Sequence, residues 1–277
     1  MTEHKAADVE RYRATADVER AAVVAATDSP FSIEVRFLGG LTDRQRAAFA
    51  AAADRWTTVI VGDLPTAVVD GEEIDDVLIL AEGSAIDGPG RVLGQAGPTD
   101  LRPASAGAAA LLPVKGVMSF DTADLANMES DGTLDDVIAH EMGHVLGIGT
   151  LWSRKRLLAG SGTNNPTFTG SGAVAQYAAL GRSGAVPVEN EGGPGTREGH
   201  WRESVFGHEL MSGFISRPGN PLSKLTAASL GDLGYQIDIE AAEPYTIPER
   251  VSAGSVVQGG HGGRGRVLPV IPAVLPG

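Results

Sequence analysis

The sequence predicts an α+β protein built on a mixed sheet, and three observations carry that prediction. Phe31–Leu38 alternates apolar and polar residues, two apolar runs follow at Asp76–Ala81 and Val114–Phe120, and helical patterns lie after the first strand and after the last. Strand, helix, strands, helix is the order of an α+β unit, and no long self-similar period points to a repeat protein.

Taken in order, residues 1–29 read as a polar leader, a solvated helix or a disordered arm, with a pro-segment as the sharper alternative. They lack an apolar core segment, so no standard signal peptide is visible, and export would need another route. ADVER occurs twice, at Ala7–Arg11 and Ala16–Arg20, too short to build an architecture on. In Phe31–Leu38 the residues Phe31, Ile33, Val35 and Phe37 share one face, as in a half-buried strand. Gly39-Gly40 ends it. Thr42 and Gln45 then have the spacing of a capping box for a helix whose Phe49, Ala53, Trp56 and Ile60 face the sheet. Asp76–Ala81 reads as a buried strand. From Gly83 to Ala110 the chain is mostly loop, with Arg91–Gly97 as a short extended edge, and Val114–Phe120 is the next strand.

Thr133 and Asp136 are spaced as the N-cap and third position of a second helix, with Leu134, Val137, Ile138, Val145 and Leu146 on its core side. Gly147 ends it where φ must turn positive. Trp152–Val188 reads as a loop-rich insertion with one helix near Ala173–Leu180. Pro221–Tyr235 is a helix capped by Gly234, Gln236–Ile239 a short strand, and 248–277 a loosely ordered Gly/Pro-rich tail.

A net charge of −13 argues against nucleic acid and anionic membrane surfaces as partners. No stretch approaches the roughly 20 apolar residues of a membrane span. The chain has no cysteine, which removes disulfides and thiolate zinc sites and leaves the compartment open, cytoplasmic or exported by a non-standard route.

The chemistry concentrates in His140–Gly149, HEMGHVLGIG. Two histidines four apart on a helix project one turn apart from the same face and reach one metal ion, with Glu141 beside it as a base toward water. A hydrolytic zinc site takes three protein ligands and keeps a position for water. No Asp or Glu occurs between Glu141 and Glu189, which disfavours a thermolysin-type carboxylate ligand. The compact H-E-x-x-H-x-x-G-x-x-H pattern has its third histidine where this chain has Thr150. His4, His200, His208 and His261 remain as candidates.

HEMGHVLGIGTLW at His140–Trp152, followed by GHWRESVFGHELMSG at Gly199–Gly213, resembles the leishmanolysin family of metzincin peptidases. FSIEVRFLGGLTDRQRAAFAAAADRW, GVMSFDTADL and LTAASLGDLGYQID are similar to further family segments, so the likeness runs over roughly residues 30–240. In that family an insertion separates the turn glycine from the third histidine, and a methionine follows that histidine by 11 residues. His200 and Met211 have that spacing; His208 and Met211 do not. The absent cysteines depart from the disulfide-bonded family enzyme.

The resemblance implies a two-lobed metzincin-like metalloprotease: a mixed twisted sheet plus an active-site helix, then a loop-rich C-terminal lobe with a Met-turn. The catalytic domain would be 30–247, with lobes at about 30–149 and 150–247, between the 1–29 arm and the 248–277 tail. His140, His144 and His200 would ligate one zinc ion, Glu141 would be the general base, and Gly147 and Met211 would support the site. A structural calcium at an unassigned position, with Asp121 and Asp124 as candidates, is a further expectation; capping is the other reading of those two residues. The substrate would be a protein or peptide in extended conformation. The competing readings are a non-catalytic binding or toxin-like module keeping a structural zinc, and a zinc hydrolase of non-peptide amides.

Overall fold

The structure, a computed structural model, describes residues 9–90, 92–193, 195–215, 217–249 and 266–277. Its main sheet begins inside the segment read as an arm. β1 (Arg11–Thr15) pairs antiparallel with β2 (Ser32–Gly39), and α1 (Val18–Val24), capped by Asp17, connects them. Ala14 and Ala16 are buried, and the Tyr12 hydroxyl donates to Asp54 at 2.8 Å. So residues 11–24 are a built part of the fold: α1 agrees with the helical reading of the leader, and the pairing of β1 corrects the disordered-arm reading. Five residues with small or polar side chains give no alternation strong enough to read as a strand. Residues 1–8, and with them His4, lie outside the described residues.

Phe31, just before β2, and Ile33, Val35 and Phe37 within it are buried as the alternation predicts. α2 (Asp43–Val59) starts at Thr42 with the reciprocal capping box to Gln45. A hairpin of β3 (Ala67–Val69) and β4 (Glu72–Ile74) leads to β5 (Val77–Ser84), parallel to β2. β6 (Val92–Leu101) and β7 (Pro113–Asp121) are antiparallel to each other, and β7 is parallel to β5. The sheet is therefore mixed, as expected.

α3 (Thr122–Asp131), capped by Asp121, was not anticipated; α4 (Leu134–Val145) follows it. α4 packs beside α2 and against β6 and β7, and Trp56 of α2 is fully buried with its indole N–H donated to the carbonyl of Ala139 at 2.8 Å. That placement makes Trp56 the fixed back wall of α4.

Beyond α4 lie three short paired strands, β8 (Leu158–Ala159), β9 (Thr167–Phe168) and β10 (Val186–Pro187), with α5 (Ser171–Ala179), α6 (Glu203–Phe206) and α7 (Lys224–Leu233), the last closed by Gly234 in the left-handed region. Gln236–Ile239 makes no strand: Ile237 bridges Ile60, and a 3₁₀ turn starts at Ile239. The expected short edge at 91–97 is instead a ten-residue strand, with Arg91 itself outside the described residues. Nor is β6 an edge, because β11 (Arg266–Pro269) and β12 (Ala273–Val274) pair parallel to it. This corrects the loose-tail reading for 266–277; residues 250–265, including His261, are outside the described set. Among the described residues no helix is long and apolar enough to cross a membrane.

Candidate metal centre

α4 presents its two histidines from a start that tertiary contacts hold. Thr133, expected to cap the helix through its hydroxyl, has helical backbone angles and caps no N–H. Asp136 instead accepts from the N–H of Gly219 at 2.6 Å and pairs with Arg55 at 3.2 Å, tying the first turn to the 219–220 loop and to α2. The helix ends at Val145 with Leu146 as its C-cap, and Gly147, with φ of 109°, turns the chain just beyond it. His140 and His144 are both buried.

His200 comes from a loop far along the chain. Its carbonyl accepts from the N–H of Glu189 at 2.9 Å, and the next N–H, of Trp201, donates to Met211 at 2.9 Å. The Trp201 ring is fully buried, 4.6 Å from Trp152 and 5.4 Å from Phe168 between centroids, with its indole N–H donated to Thr226 at 2.8 Å. A close backbone approach completes the placement: a Cβ at Gly149 would stand 2.0 Å from the carbonyl oxygen of Gly199. Only a glycine there lets the loop bring His200 down beside α4.

The structure brings His140, His144 and His200 together, with their Nε2 atoms 3.0 Å apart in all three pairs. Each Nδ1 faces a main-chain carbonyl: Leu210 at 2.7 Å, Ile148 at 2.9 Å and Thr196 at 2.8 Å respectively. A carbonyl only accepts, so each Nδ1 carries the hydrogen and each neutral ring turns an Nε2 lone pair toward the common centre. Three converging lone pairs repel unless a cation sits among them. One ion with Zn–N distances of about 2.0–2.1 Å reaches all three, so the residues fit zinc. His208 is not in this group; its ring lies 5.9 Å from Tyr245, and burial lowers its pKa.

Glu141 is fully buried and lines, with His144, a cavity of about 220 Å³ to which Gly195, Arg197 and Gly199 also contribute. Beneath the histidines a Cβ at Gly143 would meet the Met211 sulfur at 2.7 Å, so the small residue between the two histidines makes room for that methionine. The Met211 loop is held by a group the sequence reading missed. Fully buried Glu209 accepts from the N–H of Met211 at 2.6 Å, the hydroxyl of Ser223 at 2.5 Å and the hydroxyl of Thr226. Thr226 thus links Glu209 to the indole of Trp201. Glu203, also buried, has its pKa pushed up to about 7 by burial and by the nearby charge of Glu189, against bonds from Ser212 and Phe214. A carboxylate at 203 or 209 carries no local pattern that marks it as buried.

The calcium expectation finds no support at Asp121 and Asp124. Asp121 accepts from the N–H groups of Ile86, Asp87, Gly88 and Ala123, and Asp124 accepts from Gly90. They fasten the 86–90 loop and cap α3.

The family model described as leishmanolysin, peptidase M8, matches residues 108–254, just over half of the 277 residues, and takes in α4, His200, Met211 and α7. No curated protein matches the chain.

Proposed function

This chain belongs to the leishmanolysin family of metallopeptidases, and from that premise we propose that it is a zinc-dependent endopeptidase with its catalytic centre at His140, His144, His200 and Glu141. The observation that carries the reading is the convergence of three Nε2 lone pairs beside a buried carboxylate that opens on a cavity. His140, His144 and His200 hold the ion, each kept in one tautomer by its carbonyl partner. Zinc, when bound, lowers the pKa of the water it holds toward about 7 and polarises a carbonyl. Glu141 takes a proton from the attacking water and hands it to the leaving amine. Met211 serves as the Met-turn residue beneath the site, and Gly147 turns the chain away from α4. The cleft lies between a sheet-bearing lobe and the loop-rich lobe, with protein or peptide substrate extended along β6 and held by main-chain hydrogen bonds.

Replacing Glu141 by Ala should leave about one zinc bound while lowering peptide turnover by roughly 10²–10⁴-fold. Zinc content together with a cleavage-site profile on a peptide library is the measurement. Undiminished turnover would sink the assigned base, and a zinc-loaded native chain that cleaves nothing in the library would favour a structural zinc module.

A further inference from the structure

The strand that an extended peptide would use is already occupied. β11 runs parallel to β6 with Arg266 opposite Val92, Val267 opposite Gly94, Leu268 opposite Gln95 and Pro269 opposite Ala96. Farther along, Ala273 and Val274 pair with Asp100 and Leu101, and the N–H of Leu275 donates to the Leu101 carbonyl at 2.9 Å. The outward edge of β6 is thus paired with this chain's own residues at both its ends, over Val92–Ala96 and at Asp100–Leu101.

The same segment reaches into the cavity. Val267, Leu268 and Pro269 line it together with Glu141 and His144. On the sheet side a Cβ at Gly97 would stand 3.1 Å from Cβ of Val270. On the far wall a Cβ at Gly195 would stand 3.0 Å from the Val267 carbonyl oxygen, and Arg154 donates to the Pro272 carbonyl at 3.4 Å. The segment therefore touches both walls.

Its seating differs from that of a built edge strand. At the other end of the sheet β1 is fastened by Tyr12 to Asp54 and by Arg13 to Asp75, both at 2.8 Å. The 266–277 segment is apolar yet poorly covered, with Leu268 37%, Val274 42% and Ile271 88% exposed. Val267 and Leu275 pack against the core, but Leu268, Ile271 and Val274 stay partly or largely in water, so the apolar burial that holds the segment in place is modest. Main-chain pairing in a cleft, with weak side-chain burial, is what an exchangeable occupant needs.

We infer that residues 266–275 occupy the peptide-binding edge of β6 in cis, so that the chain holds its cleft closed against extended apolar peptides until the segment is displaced or removed. This rests on the peptidase reading above. A tethered segment competes at a high effective concentration, and apparent substrate affinity falls with the fraction of chains whose cleft is open. Pro269 and Pro272 lack the N–H groups a further strand would need, so the segment also ends the sheet. Sheet-edge cover alone, as protection against strand addition, is the competing account.

The test compares zinc-loaded native chain with the Val267→Asp/Leu268→Asp double variant, following amide exchange of β6 and turnover of a quenched fluorescent peptide of apolar sequence. We expect faster exchange at Val92–Leu101 and a rise in kcat/KM of about tenfold or more. Adding a synthetic 266–277 peptide should reverse the rise competitively. Leu268→Ser alone, a milder change at a partly exposed residue, should move both readouts the same way by less and covers the case in which the double variant does not fold. Faster β6 exchange with unchanged turnover would overturn the occlusion and leave only edge cover. Unchanged exchange would show that the segment does not sit on β6. Absence of turnover in every zinc-loaded protein, with β6 exchange still accelerated, would overturn the peptidase reading and this inference with it.

Discussion

The three histidines reach one point by two different routes. His140 and His144 are placed by one turn of α4, whereas His200 arrives 56 residues after His144 on a loop. For the helical pair, 3.6 residues per turn is almost sufficient. For His200 nothing local is sufficient, and its position is the sum of the Glu189 and Met211 backbone bonds, the burial of Trp201 and the contact at Gly149. A site assembled this way concentrates its tolerance on the helix and its fragility in the loop and its supports.

The strongest way to break that comparison is at the loop histidine itself. His200→Ala should lose zinc on dialysis and lose peptide turnover, while His208→Ala keeps both; full zinc content and rate in His200→Ala would remove it from the centre. Gly149→Ala comes next. Its Cβ has no place to go against the backbone of Gly199, and its φ of 73° adds strain. We expect a loss on the order of 1–3 kcal/mol in stability and roughly 10–100-fold weaker zinc binding. A variant with native zinc affinity would show that the loop is not held by this approach.

Thr226→Val sharpens the comparison more gently. It leaves the Trp201 indole and Glu209 each short of one hydrogen-bond partner, a cost of about 1–3 kcal/mol. Thr226→Ser, which keeps the hydroxyl, should restore the native melting temperature; equal melting of all three proteins would deny the link.

A pH dependence from Glu203 tests the supports of the loop without touching the histidines. Its folded pKa of about 7 lies above its unfolded value of 4.5, so between those values the folded state binds the extra proton. Stability from this group is full below about pH 4.5 and is lost as pH rises through about 7, by an amount on the order of 3 kcal/mol. Glu203→Gln should flatten that part of the stability curve, and an unchanged curve would place the titration elsewhere.

What could be read ahead of the structure divides along the same line. The Thr42 capping box and the buried alternation of β2 were legible because capping and pleating are local. Thr133 misled because Asp136 found a better use in tertiary pairing with Gly219 and Arg55. β1 and the 266–277 strands were illegible for a different reason. A short strand that borrows an existing sheet edge needs little apolar periodicity of its own. Gly143 and Gly149 stood in plain view, but a glycine needed for close approach looks like any other until its neighbour is known.

By itself the sequence determined the helix, the spacing of His140, Glu141 and His144, and the exclusion of thiolates, and it disfavoured a nearby carboxylate ligand. The likeness in Gly199–Gly213 nominated His200. Only the tertiary structure decided how that histidine is carried to the helix, which carbonyls turn three Nε2 atoms inward, and which segment lies along β6. The physical reason is range. Helix periodicity and capping act over a few residues, whereas a three-point centre closed by a loop depends on backbone contacts and buried polar partners that share no sequence neighbourhood.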